Sequence, residues 1–133
     1  MGIRFCFILM ILFSLKLYSL DETYYNQLRS KVNLQKEEQL VVLFQNIGNC
    51  SRCYILPMEQ VTKLKREGTL NKFKLLALVV CDRDAELNVY KKQHDWKYYM
   101  FRDDGKGHKR LNAKETTFLS VFDYNGKKIY EME

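Results

Sequence analysis

Two apolar runs, "LVVLF" at 40–44 and "FKLLALVV" at 73–80, the second broken only by Lys74, constrain this chain more than any other feature. Both are rich in β-branched and aliphatic side chains and lack the polar alternation of a half-exposed strand. Such runs suit strands covered on both faces. Between them Ile55, Met58, Val61, Thr62 and Leu64 or Lys65 recur at spacings of three and four, which predicts a helix, with Gly68 as its stop. Strand, helix and strand in that order make a βαβ unit with a parallel pair.

The flanks add to this unit. Residues 21–39 are polar, with Tyr24, Tyr25, Leu28 and Val32 at helical spacing and Asp21 placed to cap, so a helix is expected within 20–36, fading near Asn33. After Val80, "DRDAELNVYKKQ" reads as a short helix starting near Asp82 or Asp84. "WKYYMF" is ambiguous between strand and loop, and "DDGKGHKRLNAKE" reads as a loop. The segment "TTFLSVFDYNGKKIYEM" predicts a hairpin: Thr117 to Phe122, an Asn125-Gly126 turn, then Lys128 to Tyr130. The fold class is therefore α/β: a mixed central sheet, βαβ unit plus C-terminal hairpin, flanked by helices. No helix is expected after the last strand. One sheet face is then expected to rely on the helix from Tyr24 to Val32, or to stand partly open and favour a dimer.

Residues 1–19 look unlike the rest. Arg4 precedes an apolar stretch from Phe5 to Leu15, and the small Ser19 stands before the acidic "LDET". This is the layout of a secretory signal peptide cleaved after Ser19, with an uncleaved N-terminal anchor as the alternative. The expected organisation is a leader at 1–19, a helix at 20–36 and one domain at 37–133. The formal charge of +6, less Arg4 and Lys16, leaves +4 on the mature part. Its basic residues are scattered among acidic ones, which argues against a nucleic-acid role. Of the 4 cysteines, Cys50, Cys53 and Cys81 remain after cleavage, and in an exported compartment disulfides persist.

Cys50 and Cys53 form a CxxC where the first strand gives way to the following helix. A helix start carries free N–H groups and about half a positive charge, which favours thiolate. Arg52, between the two, adds a full charge that would lower the Cys50 pKa further. The pair could then attack a disulfide, form a mixed disulfide and resolve it. Covalent haem attachment needs His after the second Cys, and residue 54 is Tyr. A zinc site needs about four ligands, and Cys81, His94 and His108 form no tight second pair, so no metal is expected. A structural Cys50–Cys53 staple remains an alternative, although so short a loop gains little chain entropy.

These features together resemble the thioredoxin-like superfamily, and more narrowly the exported TlpA-like thiol-disulfide oxidoreductases of bacteria. The residues that carry the resemblance are "LVVLF", "CSRC" with Pro57 in the next helix, "LLALVV" ending in "CDRD", and "TTFLSVFDYNGKKIY". It covers roughly residues 37–131. It implies that Cys50 attacks and Cys53 resolves, that no cofactor is needed beyond the Cys50–Cys53 disulfide, and that Pro57 kinks the active-site helix. It also implies cysteine-bearing exported proteins as partners, a membrane dithiol as electron donor, and a location in the periplasm or anchored facing it. A thioredoxin-fold binding module with a purely structural disulfide is the alternative.

The sequence departs from that pattern in four places. Asn49 stands where the family has Trp. Phe44 occupies the place of the buried acid of thioredoxins proper. Pro57 is the only proline, so the substrate-facing loop before Phe118 has no cis-proline; Glu115, Thr116 or Thr117 takes that place, and a threonine is expected there, in trans. The usual C-terminal helix is not expected after the hairpin. Among the remaining residues, Cys81 reads as a strand-end thiol or as a third redox thiol. His94 and His108 read as solvated. Trp96, Tyr98, Tyr99 and Phe101 read as core packing or as a substrate-docking surface.

Overall fold

The computed structural model describes residues 20–48, 52–94 and 97–133, and for 52–54 the backbone alone. The elements in chain order are α1 (Glu22–Lys31), β1 (Gln39–Asn46), α2 (Arg52–Arg66), β2 (Phe73–Val80), α3 (Asp84–Gln93), β3 (Tyr99–Asp103), a single helical turn α4 (Gly107–Arg110), β4 (Leu119–Phe122) and β5 (Lys128–Met132). The strands form one sheet in the order β3-β2-β1-β4-β5.

The two apolar runs are the centre of that sheet. β1 and β2 pair in parallel, Val41 beside Leu75 and Leu43 beside Ala77. β4 pairs antiparallel on the other side of β1, Val41 beside Val121, and β5 pairs antiparallel with β4. Alternate residues of the runs feed two cores, as the strand period of two requires. Val41, Leu43, Ala77 and Val79 pack under Val61 and Leu64 of α2 and Leu87 and Tyr90 of α3. Leu40, Val42, Phe44, Leu76 and Leu78 pack under Tyr25, Leu28 and Val32 of the first helix and Leu111.

The helix caps follow the sequence. The Asp21 side chain accepts from the Tyr24 backbone N–H at 3.1 Å, and α1 closes at Val32. α2 stops before Gly68, whose φ of +84° a residue with a Cβ seldom adopts. Gly126 does the same for the hairpin turn, at φ +89°.

One ambiguity is resolved and one expectation is corrected. The ambiguous "WKYYMF" contains part of a real strand: β3 pairs in parallel with β2, Leu78 beside Phe101 and Val80 beside Asp103. Its side chains alternate irregularly between exposed and buried, so backbone pairing holds this edge strand, not an apolar run. The loop after it contains α4. Of the two expectations for the second sheet face, cover by the helix from Tyr24 to Val32 holds: α1 and Leu111 close it, leaving Leu40, Val42 and Leu76 fully buried. Residues 1–19, read as a leader, lie outside the described residues. Among the described residues no helix is long and apolar enough to cross a membrane.

Candidate functional site

Because β1, β2 and β3 run parallel, their C-terminal ends lie along one edge of the sheet, and antiparallel β4 starts at that same edge. This topology gathers the chain's reactive residue types there. β1 runs out through Ile47, whose N–H donates to the Val80 carbonyl at 3.2 Å. Gly48 follows, its N–H donating to Asn46 Oδ1 at 3.0 Å. α2 then begins at Arg52. The CxxC therefore bridges the link between β1 and α2: Cys50 and the side chains of Arg52 and Cys53 lie outside the described residues, while the Cys53 backbone is the second residue of the helix.

The N-terminal end of α2 is electrostatically bare. Its first turn has no acidic residue, and its basic residues Lys63, Lys65 and Arg66 stand in the last turn. No acid of its own first turn thus neutralises the positive end of its dipole. Pro57 lies inside α2 and has no N–H to give the carbonyl of residue 53. Two and three residues past Cys53 in the chain, Ile55 and Leu56 are 50% and 64% exposed.

Beneath this edge Phe44 is buried, with no acid in its place. Its ring stacks on the imidazole of His108, centroids 4.1 Å apart and planes 21° apart. His108 Nε2 lies 2.7 Å from the Thr117 carbonyl oxygen. A carbonyl only accepts, so Nε2 carries the proton. On the other face Tyr90 Oη donates to Gln45 Oε1 at 2.7 Å, while Gln45 Nε2 is buried without a hydrogen-bond partner.

The expected substrate-facing loop is a tight turn. Thr117 N–H donates to the Lys114 carbonyl at 3.0 Å, leaving Glu115 and Thr116 at its tip. Thr116 is exposed. Thr117 is 2% exposed, and its hydroxyl donates to Glu131 Oε1 at 3.0 Å. Burial pushes the Glu131 carboxyl upward, but the Lys128 and Thr117 hydrogen bonds outweigh it and hold the pKa below its usual value. Phe118 is fixed on both sides, donating to the Met132 carbonyl and accepting from Phe44 N–H, each at 3.0 Å.

Cys81 follows β2 at the same edge, half-buried, with Sγ 3.6 Å from the Arg83 carbonyl. Burial raises its pKa, Glu86 adds to the rise and Arg102 opposes it. Its surroundings as a whole disfavour thiolate. Asp103 ends β3, 2% exposed. Its Oδ2 accepts from Gly107 N–H at 3.3 Å, and its Oδ1 is buried without a partner. Burial, then Asp104, push its carboxyl up. A Cβ on Gly107 would lie 2.7 Å from Asp103 Oδ2, so only glycine lets α4 sit this close.

Two readings of single residues change. His108 is not a solvated loop residue; no periodicity marks it, because one helical turn is too short to show one. Tyr98 and Tyr99 are 52% and 39% exposed rather than core, and Trp96 lies outside the described residues. Among the described residues no three His, Cys, Asp or Glu side chains converge to hold a metal ion.

No family model matches the sequence, and no curated protein does. Solved structures do match in shape. The thioredoxin domain of a thiol-disulfide oxidoreductase from Bacteroides vulgatus superposes with a TM-score of 0.51 at 11% identity, over 74% of this chain and 71% of that one. A thioredoxin-like protein from Aeropyrum pernix gives 0.53 at 12% identity, over 75% and 71%. One from Porphyromonas gingivalis gives 0.52 at 16% identity, over 74% of this chain and 65% of that one, just under two thirds of its length. At such identities the likeness is one of fold, and it agrees with the sheet order and with the helices on both faces: this chain adopts the thioredoxin-like fold.

Proposed function

We propose that this protein is an exported thiol-disulfide oxidoreductase acting through Cys50 and Cys53. The observation that carries this reading is that α2 begins at Arg52, inside the CxxC, with no acidic residue in its first turn. The bare helix terminus and the Arg52 charge favour thiolate at Cys50. The Cys50 thiolate attacks one sulfur of a substrate disulfide, forming a mixed disulfide and releasing the other sulfur as thiolate. Cys53 then attacks Cys50, releasing the second substrate thiolate and leaving Cys50–Cys53 oxidised. The substrate has gained two electrons and the pair has lost two. A dithiol donor, at the membrane in this reading, restores the reduced pair. Substrates are cysteine-bearing exported proteins, met at the Thr116–Thr117 loop and at the exposed Ile55 and Leu56. The B. vulgatus neighbour, named a thiol-disulfide oxidoreductase, supports the assignment, as does the apolar leader at 1–19.

Thiol trapping across a series of glutathione redox buffers, with mass spectrometry locating each label, tests it. Cys50 and Cys53 should titrate together, with Cys50 labelled fast below neutral pH. A pair that stays oxidised in every buffer would make it a structural disulfide in a binding module.

A further inference from the structure

We propose that His108 is a positioning residue for disulfide exchange, fixing the Thr117 backbone through the hydrogen bond from Nε2 to the Thr117 carbonyl. The inference rests on the exchange reading above and deepens it. With Pro57 the only proline, no proline ring stiffens the turn of 114–117. Something else must hold its direction against a substrate strand that arrives and leaves.

The geometry points to His108 because it is itself held on two sides. Its ring lies flat on Phe44, centroids 4.1 Å apart, and Phe44 belongs to the central strand. Its helical turn is pinned from beneath, Gly107 N–H donating to the buried Asp103 carboxylate at 3.3 Å. From this rigid base Nε2 reaches the Thr117 carbonyl at 2.7 Å. The Thr117 hydroxyl is tied separately to Glu131, so the residue before Phe118 is clamped through both its backbone and its side chain. A group held this firmly loses little freedom when substrate binds, and preorganisation of this kind appears as affinity. Nε2 donates in the neutral tautomer and in the cation alike.

The test uses the full chain, dithiothreitol as reductant and a peptide closed by one disulfide as substrate. His108→Phe keeps a ring on Phe44 and removes the donor. It should lower kcat/KM for the peptide about threefold to tenfold, through KM, as loss of one net hydrogen bond does, and leave the alkylation rate of Cys50 by iodoacetamide unchanged. His108→Gln, which can still donate to the carbonyl, should recover most of the loss. Should His108→Phe fail to fold, His108→Asn, too short to reach, takes its place. Unaltered peptide kinetics in the donorless variant overturn the proposal, as does an equal fall in peptide turnover and Cys50 alkylation. A wild-type protein that reduces no peptide sinks the exchange reading itself, a result distinct from either.

Discussion

The imidazole of His108 lies flat against the ring of Phe44, 4.1 Å between centroids, and from there reaches the Thr117 carbonyl. Phe44 comes from β1, far in the chain from His108 in α4 and Thr117 in the turn before β4. Their meeting ties the strand that leads into the CxxC to the turn across from it. An apolar ring at position 44 puts no acid at that place, and it gives the histidine a surface to lie on.

The buried carboxyl of Asp103 makes stability depend on pH in a particular direction. Burial raises its pKa above 3.8 in the fold, so folding takes up a proton as pH climbs from that value through the folded pKa. Asp103 therefore favours the fold most at acid pH, and that support fades as pH rises. Tyr24, Asp104, His108 and Arg110 are the charged or titratable groups around it. Asp103→Asn keeps an acceptor for Gly107 N–H and cannot ionise. Urea unfolding at pH 4 and pH 7 should show the variant gaining on the wild type at the higher pH. An unchanged difference at the two pH values would show that Asp103 does not titrate on unfolding.

Tyr25 is the residue that seats α1 on the sheet. It is 1% exposed, lies 5.5 Å from the Phe122 ring, and its hydroxyl donates to the Asp123 carbonyl at the hairpin turn. Tyr25→Phe should cost about 1 kcal/mol, one net hydrogen bond. Tyr25→Ala should cost about 3–5 kcal/mol, as large buried aromatics do. Denaturant midpoints measure both. A cost below about 1 kcal/mol for the alanine would mean that α1 does not cover this face.

Cys81 should behave as a bystander. Its thiol is raised by burial and then by Glu86, so little thiolate forms near neutrality and alkylation is slow. Cys81→Ser should leave disulfide exchange by the CxxC unchanged, and iodoacetamide at pH 7 should label Cys81 far more slowly than Cys50. Faster labelling of Cys81 than of Cys50 would move the redox centre to the end of β2.

By itself the sequence determined the centre of this protein. The two apolar runs suited strands covered on both faces, and β1 and β2 lie where "LVVLF" and "FKLLALVV" stand. The helical spacing between them made the crossover, and Asn125-Gly126 made the hairpin. Asp21 and Gly68 marked their helix ends by local chemistry alone. All of these signals are short-range: a period, a cap, or a φ that glycine tolerates.

Only the tertiary structure decided the rest. β3 exists because β2 offers a free edge to pair with, not because "YMFRD" has a strand's pattern. The helical spacing announced α1 and a face for it to cover, but only the fold shows that Tyr25, Leu28 and Val32 meet Leu40 and Leu76 there. His108 became part of the site in the same way. A histidine in a polar stretch reads as solvated until folding brings a phenylalanine ring beneath it and a carbonyl oxygen to its nitrogen. Such contacts depend on where distant segments meet, and sequence spacing does not encode that.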